Sequence, residues 1–246
     1  RAKLPQFAKE WMAGMIIFDG TSLESIAPVQ IEDIRVNPIE LSPVTHSRAI
    51  APGADLIRIT HGTRTVAITF GLLIDNRMTR QAALMRISEW AKTDKEYRLE
   101  LPNYPGMYLM AACTKKPEPS YRQWWESKLR LTFTCFDDPY WISKNENTVS
   151  CGTQFNVLGD AAPLMQIERT LTEEVINQSY TLDGNTMTFS SIETGKMVID
   201  LNKQTAVIGN SSLMGAYTMN SNFLIPRTGV QTITGTGTIR YHERWQ

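Results

Sequence analysis

Polar and apolar residues alternate along most of this chain, and that period of two confines it mainly to β-strands. Ile57 and Ile59 share one face, with Arg58 and Thr60 on the other. Beyond His61-Gly62, Val66, Ile68, Phe70 and Leu72 face one way, and Thr65, Ala67 and Thr69 the other. The pattern predicts half-buried strands joined as a hairpin at His61-Gly62. Earlier, Met15 to Phe18 reads as a short strand entering an Asp19-Gly20 turn. Pro28, Pro38 and Pro43 exclude a helix through the extended stretch 31–41. Thr45, His46, Ser47, Pro52 and Gly53 mark a loop.

One segment has a different period. Ala83, Leu84, Ile87, Trp90 and Ala91 recur at three- and four-residue spacings and form a single stripe, with Arg80, Arg86, Glu89 and Lys92 on the remaining surface. Asp75 or Asn76 supplies an N-cap, so a helix is expected over Arg77 to Lys92. A lone amphipathic helix among strands packs across one sheet.

Strands resume at Tyr97 to Leu101 and Met107 to Ala112. A long strand opens at Trp124-Trp125 and places Leu129, Leu131, Phe133 and Cys135 on one face. Asp137-Asp138-Pro139-Tyr140-Trp141 closes it, and the polar run Ser143 to Thr148 marks a domain boundary. Everything beyond reads as short strands: 154–158, 164–171, 174–182, 197–201, 223–226, 230–234 and 236–245. Asp183-Gly184 signals a tight hairpin, with further turns at Thr194-Gly195 and Asn202-Lys203. The expected fold is mainly β: an α+β domain over 15–142, a β-sandwich with one helix, followed by a second β-sandwich over 146–246. Met15 reads as an original start, leaving residues 1–14 as a leader or expression remnant outside the fold.

Composition narrows the functional classes. Lys plus Arg equals Asp plus Glu at 25 each, so there is no net charge and no basic run to hold nucleic acid. No apolar stretch has signal-peptide character or the ~20 residues that span a bilayer. Cys113, Cys135 and Cys151 form no C-x-x-C pair and read as small buried residues of a protein made in a reducing cytoplasm.

Catalytic chemistry has no readable foothold. His46, His61 and His242 lack partners at metal-ligand spacing, so no metal or other cofactor is expected. Asp137 and Asp138 are strand neighbours pointing to opposite faces, unlike a glycosidase pair flanking one substrate. Thr234-Gly235-Thr236-Gly237-Thr238 precedes a strand rather than a helix, so it reads as a bulge or bend and not as a phosphate loop. The chain reads as a non-enzyme.

The order of these features resembles the distal tail protein family of siphophages that infect Gram-positive bacteria. The likeness runs over residues 15–246. It rests on the Ile-Phe-Asp-Gly opening at 17–20, the helix at Arg77 to Lys92, and the Tyr-Arg-Leu and Tyr-Leu-Met-Ala-Ala strands. It also rests on the Phe133 to Trp141 junction, Asp-Gly-Asn at 183–185, and Ile-Pro-Arg-Thr-Gly at 225–229 before a final Ile-Arg-Tyr strand. The resemblance implies a galectin-like C-terminal sandwich and a virion protein at the distal end of the tail. It implies a homohexameric ring, closed by the N-terminal domains, that joins the tail tube protein to the tail-tip protein. Its C-terminal domains would carry receptor-binding or baseplate proteins, with no nucleic-acid or membrane partner.

A carbohydrate-binding module or lectin is the alternative of a different class. Tyr217, Phe223, Tyr241 and Trp245 are the aromatics available to stack a sugar, and core packing is the competing role for each. A tail-tube or other ring-forming virion protein shares the assembly physics without needing a C-terminal sandwich.

Overall fold

The computed structural model describes residues 15–47, 54–74, 77–117, 128–218 and 221–246. The chain divides between Trp141 and Ile142 into two compact units.

The first unit opens with β1 (Ile17–Phe18) and β2 (Thr21–Ser22), joined through Asp19 and Gly20 at φ 50° and 74°. Two successive positive φ values are those of the tight hairpin turn that Asp-Gly favours. A one-turn helix, α1 (Leu23–Ile26), follows, with Ser22 Oγ accepting from Ser25 N at 3.2 Å. Next come β3 (Val29–Val36), β4 (Leu41–Ser47), β5 (Ala54–His61) and β6 (Arg64–Leu72). After α2 (Arg77–Trp90) come β7 (Tyr97–Glu100), β8 (Met107–Lys115) and β9 (Lys128–Cys135), and the division between the units falls within β10 (Trp141–Ser143). The sheet runs β3-β6-β9-β8-β7-β1-β2, all antiparallel.

β6 is central, flanked by β3 and β9, with Val66 opposite both Val36 and Phe133. Its Val, Ile and Phe side chains are fully buried, and Ala67 on the other face is buried too, as two covered faces require. Phe18, Phe133 and Trp90 meet at ring separations of 5.0 to 6.2 Å and fix α2 on the sheet. Trp90 also donates its indole N–H to Thr21 O at 2.9 Å. Trp90→Phe keeps the ring packing and removes that bond, so thermal unfolding should show a loss of about 1 kcal/mol.

Several details differ from the sequence reading. α2 ends at Trp90, its N-cap and Trp124-Trp125 lie outside the described residues, and Arg80 is buried rather than solvated. Arg80 stands three and seven positions before Ala83 and Ile87, which places it on the packed face. β5 and β6 form no hairpin at His61-Gly62: β5 pairs with β4, and β6 with β3. Thr45 to Ser47 belong to β4 instead of a loop.

The second unit contains β11 (Asn147–Ser150), β12 (Gln154–Val157), β13 (Ala161–Leu171), β14 (Val175–Leu182), β15 (Asn185–Ile192) and β16 (Gly195–Asp200). It continues through β17 (Thr205–Ile208), β18 (Ser211–Ser212), β19 (Gly229–Thr232) and β20 (Thr238–Trp245). One sheet is ordered β18-β17-β16-β13-β20, with β11 also on β20. Two ribbons, β12-β19 and β14-β15, are tied by the Thr181–Thr234 bridge. Phe155 and Tyr180 from the ribbons share one buried cluster with Ile167, Met197 and Ile239 from the sheet, so the layers form a sandwich.

Asp183 and Gly184, at φ 51° and 81°, close the β14-β15 hairpin. The glycine loop expected to bend does so at close range: a Cβ on Gly235 would stand 2.4 Å from Tyr180 Cδ1, and one on Gly237 2.7 Å from Glu168 O. Tyr180 donates its hydroxyl to Thr236 O at 2.9 Å and so locks the loop against β14. Residues 223–226, expected as a strand, form none, whereas β11, β17 and β18 had no legible pattern.

Candidate assembly surface

β3 and β6 do not stop where the sheet stops. Asn37 N donates to Thr65 O at 2.9 Å, Glu40 N to Thr63 O at 3.0 Å, and Gly62 N to Glu40 O at 2.7 Å, carrying the ladder onward into β4 and β5. Those two strands pair with each other and with no other described strand, making an arm. Val44 faces Arg58 and Thr45 faces Leu56, so Ile57 is the extra residue of a β-bulge. Leu41, Leu56, Ile57 and Ile59 are exposed at 60, 59, 63 and 51%.

A two-stranded ribbon is at best marginally stable in water without a third strand or a covering layer. Large apolar residues gathered on such a ribbon mark an interaction surface. The sequence reading put Ile57 and Ile59 on a buried face. Alternation was correctly read, but the cover was not: Leu41, Pro43 and Thr45 share one face of β4, so Leu56 and Ile59, opposite Thr45 and Pro43, share it too, and this apolar face is exposed.

The four aromatics singled out for sugar stacking do not share one platform. Tyr217 and Phe223 come together, stacked at 5.1 Å and 27°, and pack against the core beside Phe189. Tyr217 also donates its hydroxyl to Ser221 O at 2.8 Å. Tyr241 is buried and makes its ring contact with Phe155 at 5.3 Å, while Trp245 is half-buried at the end of β20.

The polar candidates are equally scattered. The exposed His61 ring meets the Tyr140 hydroxyl, and His242 Nδ1 lies 3.0 Å from Ser143 O. His46 lies in β4, opposite Asp55. Among the described residues, no group of three His, Cys, Asp or Glu side chains is placed to hold a metal. No helix of the described residues is long and apolar enough to cross a membrane.

Burial pushes the Cys113 thiol up to about 11 and the Cys135 thiol up to about 12, from 9.0, so neither supplies a thiolate near neutral pH. Raised folded-state values add stability that is fully present below the unfolded value of 9.0 and is lost as pH rises through the folded ones. The urea midpoint should therefore fall between pH 9 and 11, and Cys135→Ala should flatten the fall. An unchanged slope in that variant would contradict the assignment.

No protein-family model matches the chain, and no curated protein does. Solved structures do. The Dit protein of phage SPP1, a paradigm of the hub adsorption apparatus in phages infecting Gram-positive bacteria, matches at TM-score 0.75 and 14% identity. The match covers 94% of this chain and 99% of that one. The phage p2 baseplate in its activated conformation with strontium matches at TM-score 0.47 and 8% identity, over 89% of this chain and 90% of the other. Over nearly its whole length, the chain has the fold of the SPP1 Dit protein.

Proposed function

We propose that the chain is a structural hub protein of a bacteriophage tail tip, assembled as a homohexameric ring at the distal end of the tail. What carries this reading is the extent of the fold match: both units are covered, in one chain, against a hub protein of nearly the same span. The order of sequence features points to the same family. The arm supports assembly independently, because a two-stranded ribbon with an exposed apolar face is completed by another subunit. A ring built head to tail also removes open strand edges that would otherwise invite uncontrolled pairing.

In this reading the first unit forms the ring and meets the tail tube and tail-tip proteins. The second unit, a galectin-like sandwich, carries receptor-binding or baseplate proteins. Its role is assembly rather than catalysis. Carbohydrate binding has less support, since Tyr217 and Phe223 stack on each other and Tyr241 is a core residue.

Electron microscopy of intact tails decorated with an antibody against the chain tests the placement. Label at the tail end opposite the head is expected. Label along the tube, or none on assembled tails, overturns it.

A further inference from the structure

We infer that β5 of one copy adds to β3 of the next as an antiparallel strand, with Ile59 opposite Ile31 and Leu56 opposite Ile34. The inference rests on the ring reading above and names the strands that meet. In an antiparallel ladder bonded and non-bonded pairs alternate, and a non-bonded residue aims its N–H and C=O at the far edge. Leu73 N donates to Pro28 O, and Asn37 N to Thr65 O. Counting inward from both ends, Val29, Ile31, Ile34 and Val36 face away from β6, with Glu32 the extra residue of a bulge. On the arm, Gly62 N donates to Glu40 O, so Leu41, Pro43 and Thr45 face away from β5. Their partners His61, Ile59 and Leu56 face away from β4.

The two edges of the arm are not equivalent. Pro43 has no N–H to give, which closes β4 to a further strand. β5 contains no proline and keeps its donors, and β3 does the same. The outward residues of the two open edges also match. They stand at 29, 31, 34 and 36 on β3 and at 56, 59 and 61 on β5, each strand bulging where the spacing widens to three. Set antiparallel, Val29 meets His61, Ile31 meets Ile59 and Ile34 meets Leu56. Opposed residues share a face, so the exposed Leu56 and Ile59 continue the half-buried apolar row of β3. On the reverse face the exposed Arg58 comes opposite Glu32, which is already paired with Lys128, and beside Asp33.

One chain cannot make this pairing with itself. β3 runs into β4, and β5 into β6, as the two sides of one ribbon whose ladder continues through Asn37, Glu40 and Gly62. The free edges of β3 and β5 therefore lie on opposite sides, and the partner is a second copy. Unlike edges meeting head to tail make the heterologous contact that closes into rings.

Paired cysteines test the register in the full chain. Gln30 and Thr60 would face each other as a non-bonded pair with Cα atoms ~4.5 Å apart, within disulfide range. Under mild oxidation, Gln30→Cys with Thr60→Cys in one chain should crosslink into a ladder beyond the dimer. A mixture of the two single variants should stop at the dimer, and each single variant alone should crosslink no more than wild type. Gln30→Cys with Ser42→Cys should stay at that background, because β4 lies one strand further away. Independently, Ile59→Pro copies the Pro43 block onto β5 and should weaken assembly ~ten-fold beyond Ile59→Ala. Three results would each overturn the shared sheet and leave the ring reading standing: normal rings without crosslinking of Gln30→Cys with Thr60→Cys, crosslinking through Ser42→Cys instead, or Ile59→Pro assembling as well as Ile59→Ala. A wild-type chain that forms no ring, alone or with tail components, would remove both.

Discussion

Replacing Ile57 and Ile59 together by Asp is expected to abolish ring formation while leaving the melting temperature of the protomer nearly unchanged. Both side chains are more than half exposed in the single chain, and exposed substitutions usually change stability by less than about 0.5 kcal/mol. In an assembled contact the same residues become buried anchors, each worth about 2 kcal/mol or more. Two anchors lost per contact amount to about a thousand-fold in affinity, before the added cost of desolvating two carboxylates. Sedimentation velocity with calorimetry on the same samples separates the two effects. Rings that persist in this variant would remove the arm from the assembly, whereas a large fall in melting temperature would mean that the arm is covered within its own chain.

The second large effect concerns the sandwich. Gly235→Val should destabilise the second unit by about 3–5 kcal/mol, a cost built from backbone strain and overpacking together. Gly235 has φ +137°, a conformation L side chains rarely adopt, and its added Cβ would collide with the Tyr180 ring at 2.4 Å. Tyr180 is fully buried and hydrogen-bonded to the same loop, so it has nowhere to move. Gly184 makes the internal control: its φ is also positive, but nothing stands within 4 Å of its Cβ position. Gly184→Ala should cost only about 1 kcal/mol. Equal losses in the two variants, measured by urea unfolding of the full chain, would show that close packing at Gly235 is not what matters.

The contrast between these glycines also shows which parts of the fold were legible in the sequence. Asp19-Gly20 and Asp183-Gly184 could be read directly, because a two-residue turn with positive φ values is a local requirement that the dipeptide itself meets. The β9 face of Leu129, Leu131, Phe133 and Cys135 was legible for a similar reason, since alternation and burial coincide there. His61-Gly62 offered an equally good local signal and misled, because pairing partners are chosen by distant residues: β5 takes β4, and β6 takes β3 and β9. Ile57 and Ile59 alternate just as Val66 and Ile68 do, yet one pair is exposed and the other buried. Alternation identifies an apolar face without saying what covers it. Short strands such as β11 and β18 carry almost no apolar pattern and are held by backbone bonds to β20 and β17, so sequence gave no handle on them. The candidate site suffered most from this gap. Its residues are ordinary strand residues, distinguished only by the absence of a covering layer in the single chain.

The homohexameric ring is tested most directly by the mass of the purified chain in solution, measured by light scattering and native mass spectrometry at micromolar concentration and in the presence of tail-tube protein. A closed species of six chains, formed alone or on mixing, is expected. A chain that stays strictly monomeric under both conditions would contradict it.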